Sequence, residues 1–410
     1  MIRKDMVKVE YSFPEGSFQY GKLGQDGIEL VQYQGLAGHV EIPEVLPWKE
    51  LVKGTEPEHA GEEMGDATDS FHDSLHDSFR DCLPVRALAK KMFLSKKYLR
   101  SVVVPASVES VGDWAFAYCD SLREVTFLGR EVMFGKDVFK ECPNLRCVRF
   151  LNAAEEAGYR GSNGTGNSGT GSSGTNSGGT GSGGTGSHGA GGHGTGSNGT
   201  NSGGTGSGST GSGGTGSVGV ESGRREQTCD GVGALLAAAV TQMDASYLLA
   251  AREAGSPEWL GKWDARMLAI LRAADDEGYA KQILCGEEDY ESADYETFLR
   301  NSRKRKVRLL LLRLLWPMGL APAAEAECKA YLLSHTLGCA TEETWAVIRD
   351  EYGNRREFYE LFATLGCLTR ENAPDVIAET RQDCPEMKAY FLRYQAEYFG
   401  TTGFFDDMEL

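Results

Sequence analysis

Leucine returns at positions 99, 122 and 145 of this chain, every 23 residues, and a whole pattern returns with it. Phe116 recurs as Phe139, Cys119 as Cys142 and Gly112 as Gly135, while Val102 recurs as Val125 and Val148, and Val104 as Phe127 and Phe150. A repeat this short holds one strand and a return segment, and such a coil buries its apolar side only against another coil. The interval therefore dictates a stack. Alternation along each strand aims Val102 and Val104, Val125 and Phe127, and Val148 and Phe150 inward, leaving Ser101, Val103, Glu124, Thr126, Cys147 and Arg149 outward. Stacked strands lie about 4.8 Å apart, so equivalent side chains form ladders. Pro105 lacks an amide donor and ends the first ladder. Gly112 and Gly135 are expected at turns of unusual φ. A weaker coil comes first: Val85, Leu88 and Phe93 stand 23 residues before Val108, Val111 and Phe116, with Lys96 in the cysteine position, as suits an end coil.

The run Leu-x-x-Val-x-Val-Pro-x-Ser-Val-x-x-Val-Gly-x-x-Ala-Phe-x-x-Cys-x-x-Leu, Leu99 to Leu122, resembles the BspA-like leucine-rich repeat of bacterial proteins. The next coil departs from it, with Leu128 for Pro105 and Glu131-Val132 for Val108-Glu109. Gly27 to Tyr33, Val40 to Pro43 and Leu83 to Leu88 resemble the β lead-in of such proteins, so the resemblance covers roughly residues 17–46 and 83–150. It implies a binding or adhesion module, with Cys119 and Cys142 as core thiols.

With 410 residues the chain has room for two or three domains. The predicted fold class is α+β multidomain: a short leucine-rich repeat solenoid of parallel strands, about three coils, and an all-α helical-repeat domain, joined by a disordered Gly/Ser/Thr linker. The divisions are 1–46 (β-rich lead-in), 47–82 (acidic insert), 83–152 (repeats), 153–223 (low-complexity linker) and 224–410 (helices). Within the linker no apolar side chain recurs to offset the entropy of ordering it. Gly164-Thr-Gly166-Asn-Ser-Gly169 matches a dinucleotide fingerprint only by composition, since no strand precedes it and no helix follows. The insert carries a four-residue microrepeat from Asp69 to Arg80. On a helix its His72 and His76 are neighbours, which with Asp69 or Asp73 suits a divalent metal and equally suits a solvated surface helix.

Apolar spacing predicts helices over 235–242, 245–254, 257–274 and 295–316. Lys329-Ala-Tyr-Leu-Leu333 recurs as Lys388-Ala-Tyr-Phe-Leu392, and Val347-Ile348 recurs as Val376-Ile377 at an offset of 29, which reads as ankyrin-like helix pairs or as one irregular bundle. Arg303, Lys304, Arg305 and Lys306, with Arg308 and Arg313, form the one basic cluster. It fits an anionic partner, the acidic insert docking back, or a cationic outer helix face.

Net charge of −17 opposes nonspecific binding to nucleic acid. The chain shows no secretory signal and no apolar run long enough to span a bilayer, and ten dilute cysteines read as reduced thiols, so a cytoplasmic protein is expected. Walker loops, HExxH, Gly-x-Ser-x-Gly and CxxC are missing, and no catalytic, cofactor or metal residue is assigned. The expected function is a non-enzymatic scaffold that binds a protein partner through Ser101, Val103, Arg123, Glu124, Thr126, Arg146, Arg149, Arg303, Lys304, Arg305 and Lys306; the alternative is an exported bacterial surface adhesin.

Overall fold

The inward valines stand side by side. In the computed structural model, which describes residues 9–48, 82–152, 155–159, 229–280 and 294–400, Val40, Val102, Val125 and Val148 occupy adjacent parallel rungs. The rungs are β4 (His39–Glu41), β7 (Ser101–Val104), β9 (Glu124–Phe127) and β11 (Cys147–Phe150), in the order β11-β9-β7-β4. The lead-in thus supplies a fourth rung. The acidic insert with its His72–His76 pair, and residues 160–228, lie outside the described residues.

A second sheet closes the far side of the coils. It runs β1 (Val9–Phe13), β2 (Gly16–Leu23), β3 (Gly27–Gly35), β6 (Cys82–Leu88), β8 (Ser110–Val111), β10 (Met133–Phe134), and β5 (Val45–Pro47) also pairs with β6. The first three strands are antiparallel and the rest of the path is parallel; from β6 onward partners stand at the repeat interval, Leu88 pairing Val111, which pairs Phe134. Between the sheets Tyr33, Phe93, Phe116 and Phe139 form a ring column with centroids 5.3, 5.1 and 5.3 Å apart. Each cysteine thiol donates one coil back, Cys119 to the Phe93 carbonyl and Cys142 to the Phe116 carbonyl, both at 3.0 Å.

The glycine expectation is corrected. Left-handed φ falls at Lys91, Trp114 and Asp137 and at Ser95, Tyr118 and Glu141, two further sets at the 23-residue interval. Gly112 and Gly135 serve close approach: a Cβ would lie 2.5 Å from the Lys90 nitrogen in one case and 2.6 Å from the Asp113 nitrogen in the other. Coils stack backbone to backbone there, and no side chain fits.

The helical half contains, among the described residues, α1 (Gly231–Thr241), α2 (Pro257–Arg272), α3 (Tyr295–Leu315), α4 (Pro322–Ser334), α5 (Glu343–Glu351), α6 (Arg356–Thr364), α7 (Ala373–Glu379) and α8 (Pro385–Tyr394). Capping fixes several starts. Asp230 accepts from the Gly233 amide at 2.5 Å, Ser256 accepts from Trp259 with Pro257 in the first turn, and Asp294 caps α3. The predicted helix over 245–254 is instead a short 3-10 turn, Ser246–Leu248, followed by turns. The long α3 is central, touched by α1, α2, α4, α5 and α6. Buried indoles tie the early elements together, Trp259 donating to the Leu248 carbonyl and Trp263 to that of Leu235.

Residues on either side of 160–227 form one compact unit, and its main apolar core runs through both the repeat sheets and the helices. Helix α1 lies along β11, the last rung, so closely that a Cβ on Gly233 would sit 2.9 Å from the Cys147 sulfur. Arg130 donates to the Ala251 and Ala254 carbonyls, and Arg252 pairs with Glu131. The open end of a solenoid exposes its apolar core, and here α1 covers it.

Candidate recognition face

The four rungs present two outward rows: His39, Ser101, Glu124 and Cys147, then Glu41, Val103, Thr126 and Arg149. His39 Nδ1 lies 2.7 Å from the Ser101 hydroxyl. Thr126 donates to Glu124 at 3.3 Å, and Arg149 pairs with Glu124 at 3.2 Å. The His39–Ser101 and Arg149–Glu124 contacts join neighbouring rungs, and the Thr126–Glu124 bond runs along β9; together they fix polar side chains of the face.

Three of the predicted contact residues are not available as drawn from the sequence. Val103, Thr126 and Arg149 are buried. Val103 packs with Leu128 and Leu151, and Tyr159 lies against them. Alternation tells which side of a sheet a residue takes, not what later chain covers it. Ser101 and Glu124 remain half-buried, and Arg123 and Arg146 are exposed. Sequence reasoning missed Arg100, also exposed, which stands 23 residues before Arg123 and so heads the same row.

The basic cluster on α3 is mostly spent inside the helical half. Lys306 is 4% exposed and bonds the Ala273 carbonyl and Asp275. Arg303 bonds Asp275 at 2.8 Å and faces Glu343; Arg305 bonds the Gln242 carbonyl and faces Asp244. Arg308 makes a two-pronged pair with Glu351, and Arg313, at 0% exposure, a two-pronged pair with Asp264. Asp350 is held below the ordinary carboxylate range chiefly by its hydrogen bond from Arg349, and half-buried Lys304 adds to this from nearby. The cluster welds α3 to its neighbours, so its charges offer little to an outside anion.

Burial opposes ionisation of Asp275, but hydrogen bonds from Lys306 and Arg303 outweigh it and hold the carboxyl below its ordinary range. A depressed folded value stabilises the fold above the ordinary carboxylate pKa of about 3.9, and that contribution is lost as pH falls through the folded value. Asp275→Asn is expected to cost about 2 kcal/mol at neutral pH, because it strands two cations with little access to water. The deficit should shrink in acid. Urea melts of parent and variant from pH 7 to pH 3 check this; a pH-independent gap contradicts it.

The expectation of reduced thiols is overturned at one pair. Cys147 and Cys229 form a disulfide with Cα atoms 5.9 Å apart, bridging 82 residues of sequence and fastening the start of the helical half to the last rung. The other described cysteines are free. Burial pushes the Cys328 and Cys367 thiols up to about 12, and Cys142 is raised by its hydrogen bond with Cys119 and by burial. Thiolates are the reactive species. Alkylation of the folded, unreduced protein should therefore mark exposed Cys339 and spare Cys142, Cys328 and Cys367, with Cys119 protected by its burial alone, as read by peptide mass spectrometry. Rapid labelling of Cys142 would contradict the thiol ladder.

Residues 86–160 match the family model described as a BspA type leucine-rich repeat region. No curated protein matches the chain. Among solved structures it is similar to a leucine-rich cell surface protein from Faecalibacterium prausnitzii, at 20% identity over 35% of this chain and 32% of that one, TM-score 0.23. It is also similar to a leucine-rich repeat protein from Bacteroides ovatus, at 16% identity over 34% of this chain and 28% of that one, TM-score 0.24. The pneumococcal vaccine antigen PcpA is matched at 10% identity over 36% of this chain and 40% of that one, TM-score 0.19. The chain thus spans about a third of the first two proteins' length. It carries a bacterial-type leucine-rich repeat region joined to a helical region, and no described helix is long and apolar enough to cross a membrane.

Proposed function

We propose that this chain is a non-enzymatic recognition protein that docks a protein partner on the open part of the outward sheet face, around Glu41, Ser101 and Glu124 and the exposed Arg100, Arg123 and Arg146, and that it works in an oxidising compartment outside the cytoplasm. The observation that carries the reading is the face itself: four parallel rungs in unbroken register, braced by the lead-in sheet and by α1. A rigid sheet presents side chains at fixed spacing and spends little entropy on binding. The Cys147–Cys229 disulfide supports the exported reading, because such bonds persist where thiols are not kept reduced. The F. prausnitzii relative is called a cell surface protein. The helical half then acts chiefly as brace.

Fractionation of the native host and capture of surface proteins on the full chain test this. Ser101→Glu, in the middle of the face, should abolish capture, and Lys304→Glu on α3 should leave it intact. Retention in the cytoplasm, or capture lost only with the α3 variant, contradicts the proposal.

A further inference from the structure

Charged side chains on this solenoid alternate in sign from coil to coil, with one exception. At the 23-residue interval Arg86 pairs with Glu109 at 2.7 Å, Lys90 with Asp113 at 3.9 Å, and Lys97 with Asp120 at 3.9 Å. Asp113 also accepts from the amide of Lys136, which extends that row to cation, anion, cation. The row entering the strands breaks the rule: Arg100, Arg123 and Arg146 follow one another, all exposed, none with an ion pair or side-chain hydrogen bond among the described residues. Their backbones are stitched together, the Arg123 amide donating to the Arg100 carbonyl at 2.7 Å and the Arg146 amide to the Arg123 carbonyl at 2.9 Å. The three arginine backbones are thus stacked at the rung spacing of about 4.8 Å along one edge, which brings like charges near one another.

Resting on the recognition face proposed above, we infer that this arginine row is the docking site for an extended acidic segment of the partner protein. Guanidinium groups take carboxylates in two-pronged, charge-assisted pairs, and rows of them suit acidic motifs. A strand-like peptide laid along the row rises about 3.3 Å per residue, so alternate acidic side chains fall roughly 6.6 Å apart, within reach of long arginines. The surroundings favour a polypeptide over a polyphosphate. The chain's net charge of −17 repels long polyanions, whereas a short segment meets the local row. Beside Arg100, Leu36 and Tyr98 are 77% and 66% exposed and help line a cavity of about 200 Å³, which accommodates an apolar side chain at the end of the segment. Arg100 itself lies against Gly38, where the lead-in carries no side chain, so the row is open at that end.

The test uses the full chain and a fluorescein-labelled heptapeptide that begins with phenylalanine and carries glutamate at alternate positions. Its glutamine counterpart and an oligothymidylate serve as comparisons. Fluorescence anisotropy should show binding of the glutamate peptide, weakening as salt rises, and none of the glutamine peptide. Changing Arg100, Arg123 and Arg146 together to serine should weaken binding by roughly tenfold or more. The same variant should melt at low salt at the parent's temperature or about 1–3 °C above it, since mutual repulsion is relieved. Undiminished binding by the triple variant, equal binding of the oligothymidylate, or a lowered melting temperature overturns the inference. A partner lost by Ser101→Glu but kept by the triple variant would sink the arginine row and leave the recognition face standing.

Discussion

Gly233→Val should part the helical half from the repeat sheet and destabilise the protein by about 3 kcal/mol. A Cβ at this position meets the Cys147 sulfur at 2.9 Å, the Asp230 carboxylate at 3.0 Å and the Val148 carbonyl at 3.1 Å. None can yield cheaply. Cys147 is fastened to Cys229, Val148 is a rung of the sheet, and Asp230 caps α1 through the Gly233 amide. Relief requires α1 to lift from β11, which uncovers the apolar end of the solenoid. Gly261 gives the matching control, because it lies inside α2 with nothing within 4 Å of its would-be Cβ. Gly261→Ala should stabilise by about 0.5–1 kcal/mol through helix propensity and unfolded-state entropy. Urea unfolding of both variants checks the pair; a neutral Gly233→Val would mean that α1 does not press on the last rung.

Phe116→Ala should cost about 3–5 kcal/mol, a large share of the 5–15 kcal/mol that holds a typical domain together. The ring is fully buried and sandwiched between Phe93 at 5.1 Å and Phe139 at 5.3 Å. Those neighbours belong to other coils whose backbones are fixed by their own ladders, so the cavity cannot collapse. Thermal melts and the near-ultraviolet signal of the stacked aromatics report it. A loss under about 1 kcal/mol would show that the column contributes no packing of this kind.

The solenoid was legible because its signal is periodic. Val102, Val125 and Val148 announce their ladder by interval alone, and the structure puts them in register. What failed was what interval cannot encode. The close approach at Gly112 and Gly135 depends on the neighbouring coil's backbone, and Val103 is buried by Leu128, Leu151 and Tyr159, which follow the strands and stand outside the ladder positions. Union of the two halves was hidden for a different reason. The Cys147–Cys229 bond and the contact at Gly233 join residues more than 80 positions apart across a segment with no pattern. The basic run on α3 misled in a third way: a sequence shows the cations together, but Asp264, Asp275 and Glu351 reach them from other elements. Of the candidate face, Arg123 and Arg146 were readable as outward charges. Arg100 became significant only once the other charged rows were seen to alternate.

The recognition face requires parallel rungs in a fixed register, with β4 as the first of them, and a cross-strand disulfide scan tests that most directly. Glu41 pairs Val103 across β4 and β7, two strands 62 residues apart in sequence. Cysteines introduced together at Glu41 and Val103 should close on mild oxidation, since parallel partners sit within the Cα range that a disulfide spans. Cysteines at Glu41 and Ser101, shifted by two residues, should stay open. Closure of the shifted pair in place of the registered one would contradict the stacked sheet and the face built on it.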